Sequence, residues 1–218
     1  PRQEDGISFQ TDAHNPSVGI SIANQFHGLW EEMGRPSKFQ IIEQGGGDGS
    51  MAFNVLYAAQ EQDPDFYQAI EYRIVELSPD LAARQRARLA GHKKLEVVEG
   101  SATVMPQADE SVEGVIFSNE LPDAFPVHRV VVRGGKLREI YVAVKDGNFV
   151  EREGDLSTPK ILEYFDLVGK MPPEGKEFAV NLHLFEWMSE AFRVLKRGLV
   201  IASDYGFEKT EHRYESTK

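Results

Sequence analysis

Residues 38–49 read KFQIIEQGGGDG, a short apolar run that passes directly into a cluster of glycines. The next residues, 50–57 (SMAFNVLY), place their large apolar side chains at helical spacing. The pattern predicts a strand, a tight loop and a helix. Gly45, Gly47 and Gly49 alternate with other residues in the loop, which lets the backbone turn sharply and approach a nucleotide-like ligand without a Cβ in the way.

The charges around this loop favour one class of cofactor over another. A dinucleotide site has the spacing G-x-G-x-x-G, with the pyrophosphate at the helix N-terminus, whereas this loop is one residue shorter. Glu43 and Asp48 would repel a pyrophosphate, but they would attract the sulfonium and ammonium groups of S-adenosylmethionine. We therefore expect Glu43 and the three alternating glycines to bind S-adenosylmethionine, and we expect NAD to be excluded.

Residues at the ends of the next two strands are expected to complete this cofactor site. Residues 72–76 (YRIVE) predict a second short strand, and Glu76 stands where doubly wound folds present an acid to ribose hydroxyls. Its neighbour Leu77 belongs to the same predicted set. Ser101 follows the third strand, where its hydroxyl could accept a hydrogen bond from an adenine amino group.

The order of the elements favours a mostly parallel sheet covered by helices on both faces. The middle of the chain instead predicts strands joined by tight turns, and hence an antiparallel β insertion over about residues 127–180 that forms a substrate or lid region. The predicted fold is a Rossmann-like α/β sheet of the seven-strand type with this insertion. The last helix is predicted to present one apolar face that carries Phe185, Met188, Phe192 and Leu195. The predicted strands are residues 38–43, 72–76, 95–98, 112–118, 127–132, 137–144, 148–152 and 199–203, and the predicted helices are residues 50–57, 78–90 and 184–195.

The fourth strand runs straight into a polar segment that we assign to the chemistry. Asn119, Glu120 and Asp123 follow this strand, and ligands of open α/β sheets bind at the carboxyl ends of strands. We place Asn119 in the cofactor site and assign catalysis to Glu120, Asp123 and His128. His128 with Glu120 could serve as the base that a hydroxyl acceptor needs, with the carboxylate fixing the imidazole tautomer. Glu120 with Asp123 could instead hold a guanidinium.

Composition excludes several other classes of protein. The 218-residue chain has 35 acidic and 24 basic residues, and its net charge of −11 argues against nucleic acid or an anionic membrane as a partner. It contains no cysteine, and its histidines show no metal-ligand spacing, so neither a disulfide framework nor a metal site is predicted. No apolar run approaches the roughly 20 residues of a membrane span. We expect a single domain over residues 1–218, located in the cytoplasm.

The chain begins with PRQED, which is neither a signal peptide nor an initiator start. We therefore expect a fragment or an excised domain of a longer protein.

Four motifs together resemble the MidA-type class I methyltransferase family. The resemblance implies a class I fold and S-adenosylmethionine as cofactor. The family includes a mitochondrial complex I assembly factor that methylates an arginine of a partner subunit, and similar O-methyltransferase domains occur in polyketide synthase modules. The motifs are the glycine loop at 43–49, residues 75–79 (VELSP) with Gln85, residues 119–128 (NELPDAFPVH) and residues 204–206 (DYG).

The choice of acceptor depends on a departure from the family pattern. Residues 10–17 read QTDAHNPS where family members carry a Thr-Ala-Pro-Glu stretch that helps enclose the acceptor. We therefore predict O-methylation of a hydroxyl on a small or carrier-tethered, polyketide-like molecule, with His128 as base and Glu120 orienting it. The resemblance itself implies a protein arginine as the alternative acceptor, acting in complex I assembly in the mitochondrial matrix. A third hypothesis, from another class, is an assembly module that binds cofactor without catalysis.

Overall fold

The computed structural model describes residues 15–205, so the sequence predictions at residues 10–14 and at Gly206 lie outside this range. The described residues fall into two compact units. The first unit comprises residues 15–123 and 190–205, and the second comprises residues 124–189, which include the whole predicted insertion. Between residues 15 and 205, no helix has the length and apolar character of a membrane span.

The described elements alternate between helices and strands in the first unit and are mostly strands in the second. The strands are β1 (Phe39–Gln44), β2 (Ile70–Glu76), β3 (Leu95–Glu99), β4 (Val112–Asn119), β5 (His128–Arg133), β6 (Lys136–Lys145), β7 (Asn148–Gly154), β8 (Glu177–Val180) and β9 (Leu195–Ser203). The helices are α1 (Pro16–Glu32), α2 (Ser50–Gln62), α3 (Pro64–Ala69), α4 (Pro79–Arg88), α5 (Lys160–Val168) and α6 (His183–Val194), and a short 3-10 helix covers Pro122–Ala124.

The first unit is built on a parallel sheet with the strand order β3-β2-β1-β4-β9. The central strand β1 is almost entirely buried, as expected for a parallel strand covered on both faces. Because parallel strands end at the same edge, the loops after β1, β2 and β4 meet at the edge where such sheets bind ligands. The predicted α/β class and the parallel sheet are confirmed, although the sheet has five strands, not seven, within the described residues.

Aromatic side chains of α1 pack into the core of the first unit. Phe26 meets Phe117 of β4 edge to face, with the ring centroids 5.8 Å apart, and Trp30 lies 5.4 Å from the ring of Phe66 in α3. Neither α1 nor α3 was among the predicted helices. Glycines and polar residues interrupt the apolar pattern of α1, so packing of its aromatic face, more than local propensity, stabilises this helix.

Two glycines allow β1, β4 and β9 to approach one another closely. Gly114 of β4 has φ +143°, and a Cβ built there would lie 2.1 Å from the carbonyl oxygen of Gln40 in β1. Gly198 of β9 has φ +137°, and its Cβ would lie 1.8 Å from the carbonyl oxygen of Gly114. Any side chain at either position would therefore collide with backbone atoms of the neighbouring strand.

The second unit is an antiparallel sheet with the strand order β7-β6-β5-β8. Gly134, Gly135, Asp146 and Gly147 form the two hairpin turns, all with positive φ, as the predicted tight turns require. The antiparallel insertion is thereby confirmed. The helix α5 and the short strand β8 were not predicted. One small cluster of buried apolar residues lies within this unit: Val130, Ile161, Phe165 and Val180.

The last predicted helix exists, and the apolar face named from the sequence is not the face that the fold buries. α6 spans His183–Val194, and the chain continues directly into β9 at Leu195. Phe185 and Phe192 are exposed, whereas the helix buries Trp187, Ala191 and Val194. Both sets recur at helical spacing, and only the tertiary fold decides which of the two faces is covered.

Candidate functional site

The glycine loop after β1 has the backbone conformation that the sequence predicts. Gly45, Gly47 and Gly49 have φ values of +68°, +54° and +83°, which L side chains rarely adopt. A Cβ on Gly45 would lie 2.8 Å from the side chain of Leu121, whereas a Cβ on Gly47 would meet no atom within 4 Å. The loop therefore leaves open space at Gly47, whereas the Leu121 side chain packs closely against Gly45.

Asp48 serves mainly to shape the loop. Its carboxylate accepts a hydrogen bond from the backbone N–H of Ser50 at 2.9 Å, at the start of α2, and forms an ion pair with Arg88 at 2.5 Å. This pairing compensates much of the charge that the sequence analysis held against a pyrophosphate. The acidic character of the site therefore resides in Glu43 and Glu76.

Glu43 is a buried carboxylate at the carboxyl end of β1. Its side chain is 2% exposed and accepts a hydrogen bond from the Tyr72 hydroxyl at 2.9 Å. Burial raises the pKa of Glu43 to about 7, and the nearby charge of Glu76 adds to this effect, while the hydrogen bond from Tyr72 opposes it. A cation bound beside Glu43 would favour its ionised form.

Glu76 is held at the end of β2 by two donors. One carboxylate oxygen accepts from the backbone N–H of Ser78 at 3.0 Å, and the other accepts from the side-chain amide of Gln85 at 3.0 Å. The same amide also donates to the carbonyl oxygen of Gly47 at 2.8 Å. The next residue, Leu77, is 74% exposed. Residues of two predicted cofactor segments, the glycine loop and the end of β2, are thus joined by hydrogen bonds.

Ser101, predicted as an adenine contact, lies in the loop after β3. Its hydroxyl accepts from the backbone N–H of Thr103 at 3.2 Å and is 2.9 Å from the Thr103 hydroxyl. The backbone of the preceding residue, Gly100, donates to the carbonyl oxygen of Glu76 at 2.9 Å, which fixes this loop to the end of β2. The cofactor role of Ser101 stays a prediction.

The polar segment after β4 is organised by residues that follow β9. Glu120 has φ +50°, unusual for a residue other than glycine, and its backbone N–H donates to the carbonyl oxygen of Ser203 at 2.7 Å. Its carboxylate accepts from the Tyr205 hydroxyl at 3.3 Å. The backbone N–H of Asp123 donates to the carboxylate of Asp204 at 3.1 Å. Asn119, the last residue of β4, pairs with Ser203 in the strand register.

This arrangement gives the motif at Asp204 and Tyr205 a structural role, because it holds the Glu120 side chain and the backbone of Asp123 in place. It also adds Asp204 as a third carboxylate at the carboxyl ends of β4 and β9.

His128 lies in the second unit, at the start of β5. Its Nδ1 atom is 2.7 Å from the carboxylate of Glu139. A carboxylate anion can only accept, so Nδ1 is the donor in this contact and Nε2 is the nitrogen that can act as a base. The sequence analysis paired His128 with Glu120. The carboxylate that contacts its ring is Glu139, on the neighbouring strand β6. Glu120 belongs to the other unit, so the pairing of His128 with Glu120 stays a prediction.

Glu139 collects several hydrogen bonds inside the second unit. Besides His128, the donors are the Tyr141 hydroxyl at 3.0 Å and both the backbone N–H and the hydroxyl of Ser157, at 2.6 and 3.1 Å. Burial acts to raise the pKa of Glu139, but these hydrogen bonds outweigh it and the pKa is lowered. The sequence analysis missed Glu139; the predicted hairpin that carries residues 127–144 was the signal that could have identified it.

No group of three or more histidine, aspartate or glutamate side chains with the geometry of a metal site occurs within residues 15–205.

Comparison with known proteins identifies a family. The family described as "Putative S-adenosyl-L-methionine-dependent methyltransferase" matches residues 21–217. A crystal structure of a superfamily member from Burkholderia thailandensis, bound to S-adenosyl-homocysteine, superposes with a TM-score of 0.74 and 26% identity. The match covers 95% of this chain and 51% of that chain.

Two curated relatives carry names that describe their acceptors. The Drosophila melanogaster "Protein arginine methyltransferase NDUFAF7 homolog, mitochondrial" is 28% identical over 145 residues, 58% of this chain and 31% of the relative. The Arabidopsis thaliana "2-methoxy-6-polyprenyl-1,4-benzoquinol methylase, mitochondrial" is 26% identical over 216 residues, 88% of this chain and 73% of the relative. The chain thus spans about a third of the Drosophila relative and about half of the Burkholderia protein.

Proposed function

Because this chain belongs to the family of S-adenosyl-L-methionine-dependent methyltransferases, we propose that it transfers the methyl group to an arginine side chain of a protein. Membership of this family supports an enzyme over a non-catalytic module. The acceptor proposed here is the one that the MidA resemblance implies, and it replaces the hydroxyl that the sequence analysis favoured.

The residues after β1 and β2 fit the cofactor in shape and charge. The loop leaves open space at Gly47, and the carboxylates of Glu43 and Glu76 offer negative charge to a cationic ligand. In our proposal Glu76 binds the ribose hydroxyls, the glycine loop approaches the cofactor through its backbone, and Leu77 offers an exposed apolar side chain. When bound, S-adenosylmethionine supplies an electrophilic methyl group, which the acceptor takes in one in-line displacement.

One observation carries the choice of acceptor: three carboxylates, those of Glu120, Asp123 and Asp204, belong to connected segments at the carboxyl ends of β4 and β9. A guanidinium is always protonated and is held best by planar, charge-assisted hydrogen bonds to carboxylates. A neutral hydroxyl acceptor would gain little from this concentration of negative charge. The name of the Drosophila relative supports the same acceptor.

The carboxylates have two tasks in this reaction. They orient the guanidinium so that one nitrogen is directed at the reacting carbon, which supplies most of the catalysis in a displacement of this kind. After transfer the methylated nitrogen carries one proton too many, and Glu120 is the carboxylate that we expect to accept it. Tyr205, which donates to Glu120 at 3.3 Å, keeps that side chain directed.

A second candidate is methyl transfer to a hydroxyl of a small or carrier-tethered molecule. The observation that favours it is the His128 and Glu139 pair, because an imidazole whose Nδ1 is held by a carboxylate is a good base at Nε2. The Arabidopsis relative, by its name, methylates a benzoquinol. In this alternative His128 removes the hydroxyl proton, and Glu139 stabilises the resulting imidazolium.

The two acceptors can be distinguished by labelled methyl transfer. Arginine-bearing peptides, the same peptides with lysine in place of arginine, and hydroxyacyl carrier substrates are assayed side by side. We expect label on the arginine peptides alone. We also expect Glu120→Gln to lower turnover by about a hundredfold or more, since it removes both a charge and a proton acceptor, while His128→Asn changes it little.

Glu61→Gln, an exposed substitution on α2, serves as the control for loss of a carboxylate. Label confined to hydroxyl substrates and lost in His128→Asn would overturn the arginine proposal in favour of the hydroxyl.

The cellular location follows the acceptor. We propose the mitochondrial matrix for an arginine enzyme of this kind and the cytoplasm for the alternative.

A further inference from the structure

Gln85 occupies a buried position between two segments of the proposed cofactor site. It lies on α4, and its side chain is fully buried. Its amide nitrogen donates to the carbonyl oxygen of Gly47 at 2.8 Å and to the carboxylate of Glu76 at 3.0 Å. One NH2 group thus uses both of its hydrogens to connect the loop after β1 with the end of β2.

The surroundings of Gln85 determine the orientation of its amide. Rotating the amide by half a turn would place its oxygen against a carbonyl and a carboxylate, which cannot donate. In the observed orientation the amide oxygen is buried and has no hydrogen-bond partner among residues 15–205. Burying an unpaired polar atom is unfavourable, so packing alone does not account for glutamine at this position. The amide nitrogen is the group that the fold uses.

The choice of a neutral donor matters for the charge of the site. A lysine or arginine in this place would hold Glu76 equally firmly but would compensate its negative charge. An amide orients Glu76 without placing a positive charge beside it. The second oxygen of Glu76 is fixed by the Ser78 N–H at 3.0 Å, so both oxygens are oriented before any ligand arrives.

Gln85 also restrains the glycine loop itself. Gly47 adopts φ +54°, and its carbonyl would lose a partner without the amide. A Cβ on Gly46 would lie 3.3 Å from the Gln85 amide nitrogen, and a Cβ on Gly49 would lie 3.5 Å from its Cγ atom. The side chain therefore fills the space beneath the loop as well as bonding to it.

We infer that Gln85 is a positioning residue for the cofactor, which aligns Glu76 and the Gly47 carbonyl in advance of binding. The inference depends on the proposed roles of Glu76 and the glycine loop. Gln85→Met retains length and bulk but removes the donor, so we expect about tenfold weaker binding of S-adenosyl-homocysteine. We expect little change in the melting temperature of the unliganded protein, because the variant also removes the unpaired oxygen.

The test is calorimetric titration of S-adenosyl-homocysteine into the full chain and into four variants, the first of which is Gln85→Met. Arg84→Met, an exposed neighbour on α4, is the matched control and should bind as the parent does. Glu76→Gln should bind more weakly, and Gln85→Met added to Glu76→Gln should weaken binding by much less than tenfold, because Gln85 acts mainly through Glu76.

The outcomes separate this inference from the proposed function. If the parent chain itself does not bind S-adenosyl-homocysteine, the proposed cofactor site is wrong. If the parent binds and Gln85→Met binds equally well, the cofactor site stands and the positioning role is overturned. Fully additive losses of affinity in the double variant would likewise overturn the positioning role. So would a fall in the affinity of Gln85→Met that is matched by a general loss of stability in the unliganded variant.

Discussion

Two buried carboxylates, one in each unit, have pKa values that are shifted in opposite directions. Glu43, in the parallel sheet of the first unit, receives a hydrogen bond from Tyr72, and burial raises its pKa to about 7. Glu139, in the antiparallel sheet of the second unit, accepts from His128, Tyr141 and Ser157, and its pKa is lowered in spite of burial. Glu43 lies deep in the core with one side-chain donor, whereas Glu139 lies nearer the surface of its unit with several donors, so burial prevails at the first and hydrogen bonding at the second.

The same contrast extends to the packing of the two units. The first unit buries aromatic and branched side chains on both faces of its sheet, and its charged residues inside the fold belong to the proposed cofactor site. The second unit has a small apolar core, and Val142, Val144 and Phe149 of its outer hairpin are exposed. Arginine and glutamate side chains pair across its strands at the surface. Packing stabilises the first unit, whereas polar networks contribute more to the second.

The largest expected effect tests the packing of the first unit. Gly114→Ala would place a Cβ 2.1 Å from a backbone oxygen of β1, at a φ that alanine rarely adopts. We expect a loss of about 4 kcal/mol or more of unfolding free energy, measured by urea denaturation. Gly135→Ala, in a hairpin turn of the second unit, meets open space and should cost about 1 kcal/mol for its φ of +74° alone. Equal losses in the two variants would contradict the close approach of β4 to β1.

The second effect concerns the polar network of the second unit. Glu139→Ala leaves donors of His128, Tyr141 and Ser157 without their acceptor, so we expect a loss of about 2 to 3 kcal/mol. Hydrogen exchange should accelerate at amides within residues 124–189 and change little in β1 and β2. Glu151→Ala, which removes an exposed partner of Arg129, is the control. If exchange accelerated equally in both variants, Glu139 would not be the centre of this network.

The third effect is a pH dependence with opposite signs in the two units. Because the pKa of Glu43 is raised by folding, the parent chain loses stability as the pH rises from the ordinary carboxyl range to about 7. Glu43→Gln should therefore stabilise the unliganded protein by about 1 to 3 kcal/mol at pH 8 and by almost nothing near pH 4.5.

The matched substitution in the second unit should behave in the reverse manner. The pKa of Glu139 is lowered by folding, so its stabilisation is present above the ordinary carboxyl range and is lost as the pH falls through the folded pKa. Glu139→Gln should destabilise the protein at pH 8, with a smaller effect in acid. Thermal melting of both variants at the two pH values provides the measurement, and a shift of the same sign in both would refute the contrast.

The smallest effect is expected at the surface of the second unit. Arg129 of β5 pairs with Glu177 of the adjacent strand β8 and with Glu151 of β7, two strands away, and its side chain is 40% exposed. Arg129→Gln should cost less than about 1 kcal/mol, since exposed ion pairs are weak. The loss should shrink in high salt, which screens such pairs. A larger loss that persists in high salt would mean that this arginine contributes to packing as well as to charge.

Local sequence patterns were sufficient for the elements of the parallel sheet. The strands β1, β2 and β4 were predicted within two residues of their observed ends because continuous apolar runs end there at glycine or polar residues. The tight turns of the insertion were equally readable. By contrast, α1 is stabilised by aromatic packing at long range, and β8 gains its partners only when it pairs with β5, so neither carries a strong local signal.

The amino-acid sequence by itself determined the α/β class and the cofactor, and it predicted the segments at which ligands would meet, because glycines at positive φ and acids at strand ends are requirements of local geometry. Tertiary structure alone decided the partners of those side chains. Gln85 reaches Gly47 across 38 residues, His128 meets Glu139 on a neighbouring strand, and Tyr205 reaches Glu120 across 85 residues. A hydrogen bond depends on distance in space, and only the folded sheet brings these residues within that distance.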